Sequence, residues 1–154
     1  MPALKELSYF GMSDVGHVRK NNEDAFVLMP EYGFFAIADG MGGHNGGEIA
    51  AHETLSHLCQ SVIDAFATHT PTLDETQMWL EQAIAECNAY VHKLSKCNTS
   101  LSGMGTTICM TLFLENELIY AHVGDSRLYH FQKEAITPLT SDHSLVNKFA
   151  KEKN

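Results

Sequence analysis

The sequence predicts an α+β fold, because strand-like segments lie before and after two consecutive amphipathic helices. The six strand-like stretches cover residues 6–13, 24–29, 34–39, 106–115, 118–124 and 127–131. Short polar turns at 115–117 and 132–134 predict that the strands after the helices form an antiparallel meander. A parallel sheet would instead need strands and helices that alternate one by one along the chain.

The two helices are predicted from hydrophobic residues spaced three and four positions apart. This spacing runs through residues 49–66 for the first helix and 80–94 for the second. Thr72 and Glu75 have the spacing of a capping box, which marks the start of the second helix. We expect each helix to pack its apolar side against an antiparallel sheet.

The size and charge of the chain restrict its functional class. It has 154 residues, of which 44% are hydrophobic, and a net charge of −9. The length predicts a single domain over residues 1–154. The acidic balance disfavours nucleic acid and anionic membranes as partners, since both need clustered Lys and Arg, and it is compatible with cations. Neither a signal peptide nor a membrane-spanning segment is visible, so we expect a cytoplasmic protein with four free thiols.

Four polar clusters lie at strand ends or in glycine-rich loops, where functional residues concentrate. The clusters cover residues 19–24, 39–44, 124–127 and 140–144. Asp39 is the most informative position, because a carboxylate that follows a buried strand is costly unless it is paired or binds a metal. The glycines after Asp39 allow backbone carbonyls to approach an ion closely.

Acidic side chains in these clusters suit a hard cation such as Mg²⁺ or Mn²⁺. The candidate ligands are Glu23, Asp24, Asp39 and Asp125. The alternative is an Asx-type turn at Asp39, with Glu23 and Asp24 as ordinary solvated charges. The glycine loop at 39–47 is not a P-loop, because it lacks the Gly-Lys-Ser/Thr sequence that binds nucleotide phosphates.

In their order along the chain, these clusters resemble the metal-dependent protein phosphatases of the PPM/PP2C family, in their compact bacterial form. The matching segments are SDVGHVRKNNEDAF at 13–26, AIADGMGGHNGGEIAA at 36–51, SGMGTTICM at 102–110, AHVGDSRLY at 121–129 and LTSDHSLVN at 139–147. The resemblance extends from about Ser8 to Asn147. It implies a β-sandwich flanked by antiparallel helices.

The resemblance also implies the reaction, which is hydrolysis of phosphoserine and phosphothreonine in proteins by a water activated by two or more Mn²⁺ or Mg²⁺ ions. Asp39 would bridge two ions, and Arg19 would bind the phosphate as a planar, bidentate donor. The metal positions carried over by match are Glu23, Asp24, Asp39, Gly40 and Asp125. The implied partners are phosphoproteins, including substrates of a serine/threonine kinase, and neither nucleic acid nor a membrane.

The resemblance implies that Asp142, His143 and Ser144 are the first residues of a flap segment. Members of this family continue beyond that segment into further strands, which carry metal-ligand aspartates. We therefore expect a sandwich that lacks its C-terminal strands and a chain that ends within the flap region. The alternative hypothesis is a truncated, catalytically impaired member that binds phosphoproteins or a partner, or a fragment without function.

Overall fold

The α+β class is confirmed by a computed structural model, which describes residues 7–43, 46–114 and 116–143. The helices are α1 (Gly46–Ala65) and α2 (Leu73–Cys97), followed by a short 3-10 turn (Thr99–Leu101). The strands are β1 (Asp24–Met29), β2 (Phe34–Met41), β3 (Gly105–Thr106), β4 (Ile108–Leu114), β5 (Glu117–Val123), β6 (Tyr129–Gln132) and β7 (Ala135–Pro138). Helix α2 begins with the predicted capping box, in which the Glu75 N–H donates to Thr72 Oγ1 and the Thr72 N–H to Glu75 Oε2.

The main sheet has the strand order β1-β2-β4-β5, and the short β3 pairs with the end of β2. All of its strand pairs are antiparallel. Successive side chains point to opposite sides of a strand, so alternate residues of β2 face the helices. We call the other side of this sheet the outer face, and it is formed by Phe26, Leu28, Phe35, Ile37, Thr111 and Phe113.

The core lies between the main sheet and the helices. Phe34 of β2, Leu58 of α1 and Leu112 of β4 have no exposed surface, and they belong to one buried apolar cluster. The apolar spacing that predicts the helices therefore corresponds to the side that packs on the sheet. Within the described ranges, neither helix combines the length and hydropathy that crossing a bilayer requires.

The four cysteines are free thiols, in agreement with the sequence. Cys87 and Cys109 are buried, whereas Cys97 is exposed. Burial raises the pKa of the Cys87 thiol to about 11, so this group is protonated at neutral pH. A thiol in that state is a weak nucleophile and serves as an apolar core residue.

The strand predicted at 6–13 is wrong for residues 7–13, which form no regular secondary structure, while residue 6 lies outside the described residues. This segment contacts the outer face through side chains. The rings of Tyr9 and Phe35 lie 5.8 Å apart, and Gly11 sits directly against the Phe26 ring. Apolar residues in a short segment indicate burial against a surface but do not specify ladder hydrogen bonds, which explains the error.

The predicted meander is correct for β4 and β5 and wrong for the last strand. Residues of β6 pair with β7, a strand that the sequence did not predict, and form a separate two-stranded sheet. We call this sheet the ribbon. Gly124 has φ of +102°, and this conformation redirects the chain after β5 into a loop at 124–128. The turn predicted at 132–134 therefore joins β6 to β7.

The tight turn of the ribbon uses two residues that disfavour its backbone conformation. Lys133 and Glu134 have φ of +48° and +67°, and Gln132 pairs with Ala135 across a two-residue loop. Asn-Gly is the preferred sequence in such a turn, because each non-glycine residue there costs about 1 kcal/mol. We expect Lys133→Asn with Glu134→Gly to slow amide hydrogen exchange in the ribbon by about fivefold.

The control for this prediction is the variant Lys133→Gln with Glu134→Gln. It removes the same two charges and keeps side chains at both positive-φ positions. Exchange rates in the ribbon that are equal for the two double variants would contradict the prediction.

Candidate metal centre

Two carboxylates face each other across the first strand pair. In the antiparallel register of β1 and β2, Asp24 lies directly opposite Asp39, two positions beyond the Phe26–Ile37 pair on the same outer face. The two carboxyl groups are close enough for the charge of Asp24 to raise the pKa of Asp39. Because the buried residues of both strands fix the register, the packing of the sheet also places this acidic pair.

The backbone of Asp39 is held by two threonines at the point where the partner of β2 changes from β4 to β3. The Asp39 N–H donates to Thr107 Oγ1 at 3.0 Å, and the Thr107 N–H donates to the Asp39 carbonyl at 2.9 Å. Thr106 Oγ1 donates to the same carbonyl at 3.0 Å. Ser126 Oγ lies 2.6 Å from Thr107 Oγ1, so the loop after β5 joins this network. These contacts fix the direction in which the Asp39 side chain leaves the strand.

The start of α1 packs directly on Gly40. The Gly40 N–H donates to the Glu23 carbonyl at 3.0 Å. A Cβ on Gly40 would lie 2.0 Å from the Gly47 carbonyl oxygen, and a Cβ on Gly47 would lie 2.8 Å from the Glu23 carboxyl carbon. The sequence indicated Gly40 as a site residue and missed Gly47, whose sequence signal is the Gly-Gly pair at the start of α1.

Four carboxylates share this region. Burial raises the pKa of Asp39, and the charge and hydrogen bond of Asp24 raise it further. The charges of Asp125 and Glu23 raise the same pKa. The charges of the three other acidic residues that the sequence proposed as metal ligands therefore all act on Asp39.

Arg19 is exposed in the loop before β1. A cavity of about 330 Å³ opens beside the acidic pair, and its lining includes Asp24, Asp39 and Ser126. The structure thus places the proposed phosphate-binding residue on the surface, in the loop that precedes β1.

The loop that carries Asp125 is attached to residues 140–143. Arg127 donates from Nε to Asp142 Oδ1 at 2.8 Å and from a terminal nitrogen to Oδ2 at 2.6 Å, and its guanidinium lowers the pKa of Asp142. The His143 N–H donates to the Gly124 carbonyl at 3.0 Å, and its ring stacks on His122 at 4.4 Å. Ser144, the last predicted residue of this cluster, lies outside the described residues, as do His44 and Asn45.

The donor atoms of this region are oxygens of carboxylates and of the Gly40 backbone, which is the chemistry that Mg²⁺ and Mn²⁺ prefer. Among the residues that the structure describes, no three His, Cys, Asp or Glu side chains converge closely enough to hold a metal ion by themselves. The donor atoms are therefore of the type that a hard divalent cation prefers. They are too few to complete its coordination sphere.

Replacing Asp39 by Asn is expected to stabilise the metal-free protein at neutral pH. Folding raises the pKa of the Asp39 carboxyl group. The protein therefore loses stability as the pH rises from the pKa of this group in the unfolded chain to its pKa in the folded chain, and the loss is complete above the folded pKa. The neutral amide of Asn removes the repulsion between position 39 and Asp24. We expect a rise in Tm of roughly 1–3 °C at pH 7 in EDTA.

The same variant should show little difference from the parent protein below the ordinary pKa of an aspartate, about 3.9, where both carry a neutral group. A Tm at pH 7 below that of the parent protein would contradict a repulsive acidic pair.

The sequence family model of protein phosphatase 2C matches residues 7–151. The chain belongs to the protein phosphatase 2C family. The PP2C match includes every position that was proposed as a ligand, from Glu23 to Asp125. It also includes the ribbon and the segment at 140–143.

Curated PP2C relatives are bacterial phosphatases. The chain is 36% identical over 143 residues to protein phosphatase PhpP of Streptococcus pneumoniae, and this match covers 91% of the chain and 56% of PhpP. It is 35% identical over 141 residues to serine/threonine phosphatase stp of Listeria monocytogenes, with 88% of the chain and 54% of that relative covered. The chain thus spans a little over half the length of the relatives it matches.

Solved PP2C structures have the same fold. The serine/threonine phosphatase PstP/Ppp of Mycobacterium tuberculosis superposes with a TM-score of 0.79 at 33% identity, over 92% of this chain and 57% of PstP. Stp1 of Staphylococcus aureus gives a TM-score of 0.81 at 31% identity, over 92% of this chain and 56% of Stp1. The catalytic domain of PstP was also solved in complex with two manganese ions, with a TM-score of 0.78 at 32% identity, over 92% of this chain and 58% of that domain.

Proposed function

We propose that the chain supplies one part of a divalent-metal centre that hydrolyses phosphoserine and phosphothreonine in proteins. The observation that carries this proposal is the pair of facing carboxylates, Asp24 and Asp39, at an open cavity in a chain of the PP2C family. The manganese ions of the related PstP domain support the choice of metal. The proposed ligand positions are Glu23, Asp24, Asp39, Gly40 and Asp125.

Bound Mn²⁺ or Mg²⁺ would supply a water of lowered pKa and would neutralise negative charge on the phosphate. The contribution of the chain is to hold the ligand oxygens in place. Three hydrogen bonds between the Asp39 backbone and Thr106 and Thr107 hold that backbone in place, so the Asp39 carboxylate needs little reorganisation when a cation binds. Gly40 follows Asp39 in β2 and pairs with Thr106 of β3, and its carbonyl is the proposed additional donor.

Arg19 is the proposed phosphate-binding residue. A guanidinium offers two parallel N–H donors to two phosphate oxygens and stays charged at all physiological pH values. The side chain is exposed, as a group that meets a phosphoprotein substrate must be. We place the substrates among phosphoproteins, including those made by a serine/threonine kinase, and the site of action in the bacterial cytoplasm, within a single domain over residues 1–154.

The proposal is tested by metal binding and by hydrolysis of an aryl phosphate. We expect Mn²⁺ to raise the Tm of the chain, and we expect Mn²⁺-dependent release of p-nitrophenol from p-nitrophenyl phosphate. Asp39→Asn should abolish both effects. Asp64→Asn is the matched control, because this carboxylate lies at the far end of α1 and contacts Gln60.

A folded chain that binds Mn²⁺ but shows no turnover in millimolar Mn²⁺ would contradict catalysis by this chain alone. An equal loss of Mn²⁺ binding in Asp39→Asn and Asp64→Asn would contradict the assignment of the site.

Arg19→Lys keeps the charge and removes the planar pair of donors, so it should raise KM for the aryl phosphate more than it lowers Mn²⁺ affinity.

A second candidate function is binding without catalysis. The observation that favours it is the short donor set, since no three potential ligand side chains converge within the described part of the chain. A cooperative thermal melt together with no Mn²⁺ binding by calorimetry would favour this role. Binding of two or more metal ions per chain would count against it.

A further inference from the structure

One hydroxyl group beside the acidic pair has no part in the proposed metal centre. Ser126, half-buried in the loop after β5, lines the cavity of about 330 Å³ together with Asp24 and Asp39. The other polar residues in its described lining are Ser13 and Asp14. Ionised carboxylates only accept hydrogen bonds, so the two serine hydroxyls are the side-chain donors of this cavity. A volume of this size lies within the range of ligand pockets, about 300–1,000 Å³.

A chain of hydrogen bonds sets the direction of the Ser126 hydroxyl. The Asp39 N–H donates to Thr107 Oγ1 at 3.0 Å, so this oxygen is an acceptor. Thr107 Oγ1 lies 2.6 Å from Ser126 Oγ, which is the one acceptor within reach of the Thr107 hydroxyl proton among the described residues. Thr107 therefore donates to Ser126. The Ser126 proton then has no acceptor in the described part of the chain, and it is available to an oxygen in the cavity.

The loop that carries Ser126 is held on both sides of this residue. A Cβ on Gly124, whose φ is +102°, would lie 2.6 Å from Thr107 Cγ2, so the loop packs directly on the Thr107 side chain. On the other side, Arg127 donates to both carboxylate oxygens of Asp142. A donor that is fixed before its ligand arrives loses little conformational freedom on binding.

We propose that the Ser126 hydroxyl is a phosphate-binding group, which donates a hydrogen bond to a phosphoryl oxygen of the substrate. Thr107 is a positioning residue, because its hydroxyl accepts from Asp39 and donates to Ser126. A neutral donor binds an anionic oxygen without competing with a cation for the carboxylates. The inference rests on the proposed function, in which a cation at Asp24 and Asp39 would offset the negative charge that repels phosphate.

The test measures metal binding and phosphate binding separately. Mn²⁺ is titrated by calorimetry, and inorganic phosphate is titrated in saturating Mg²⁺, a diamagnetic ion, and followed by phosphorus NMR. We expect Ser126→Ala to weaken phosphate binding about tenfold, because one hydrogen bond to a charged group is lost, and to change Mn²⁺ affinity by less than about twofold. Ser126→Thr keeps the hydroxyl and should restore most of the phosphate affinity.

Ser95→Ala is the matched control, because the Ser95 hydroxyl donates to the His92 carbonyl at 2.8 Å within α2. Both affinities should equal those of the parent chain. Thr107→Val keeps the shape of the side chain but removes the acceptor of the Asp39 N–H, so it should weaken binding of Mn²⁺ and of phosphate together. The contrast with Ser126→Ala separates a phosphate contact from a general loss of structure.

Two results would overturn the inference. One is a parent chain that binds Mn²⁺ and has the same affinity for phosphate as Ser126→Ala, or none. The other is a parallel loss of Mn²⁺ and phosphate binding in Ser126→Ala with a lower Tm in EDTA, which would make this hydroxyl a structural group. A parent chain that binds no Mn²⁺ would contradict the proposed function itself, together with the inference that rests on it, and the metal titration identifies this case.

Discussion

Gly40→Ala is expected to separate α1 from the main sheet and to abolish Mn²⁺ binding. The added Cβ would lie 2.0 Å from the Gly47 carbonyl oxygen and 2.7 Å from the Glu23 carbonyl oxygen. Both neighbours are backbone atoms, so no side chain can rotate away. Overpacking of this kind costs about 3 kcal/mol or more, a large part of the roughly 5–15 kcal/mol that stabilises a domain.

The control for this prediction is Gly43→Ala in the same glycine-rich segment, where an added Cβ meets nothing within 4 Å. We expect its Tm and its Mn²⁺ titration to match those of the parent chain. The measurements are thermal melts in EDTA and in Mn²⁺. A Gly40→Ala variant with the Tm of the parent would show that α1 does not pack against Gly40 as closely as described.

Phe34→Ala is expected to lower the free energy of unfolding by about 3–5 kcal/mol and the Tm by roughly 10 °C. Phe34 has no exposed surface, and its ring meets that of Trp79 edge to face at 6.4 Å. Trp79 in turn donates from Nε1 to Ser61 Oγ at 2.7 Å, which joins α2 to α1. Removal of the Phe34 ring therefore leaves a cavity where the sheet and both helices meet.

Phe131→Ala provides the matched control, because the same side chain is lost from a position that is 68% exposed. Its effect on the free energy of unfolding should be below about 0.5 kcal/mol. Urea unfolding followed by far-UV circular dichroism measures both variants. Equal midpoints for the two would contradict the placement of the core between the sheet and the helices.

The sequence predicts the first strand pair nearly residue by residue. β1 has the predicted bounds, and β2 begins at the predicted Phe34 and extends two residues beyond Asp39. The alternation of apolar residues, the turn at 30–33 and the acidic residue at each strand end are all local signals. They are enough to place Asp24 and Asp39 at one edge of the sheet.

Contacts between residues distant in sequence are not predictable in this way. Thr107 lies 68 positions from Asp39, and its hydroxyl accepts from the Asp39 N–H only because β2 changes partners there. The pairing of β6 with β7 likewise depends on how the loop at 124–128 redirects the chain. Periodicity identifies strands, but which strands become neighbours is decided by tertiary packing.

The register of β1 and β2 also determines which changes of length this protein tolerates. Adding one residue to β2 between Phe34 and Asp39 would turn the carboxylate toward the helices, because every later side chain changes sides. A residue added to the exposed turn at Lys133 and Glu134 would leave that register intact. Among homologous chains, insertions should therefore be found in the ribbon turn and be missing from the stretch that leads to the acidic pair.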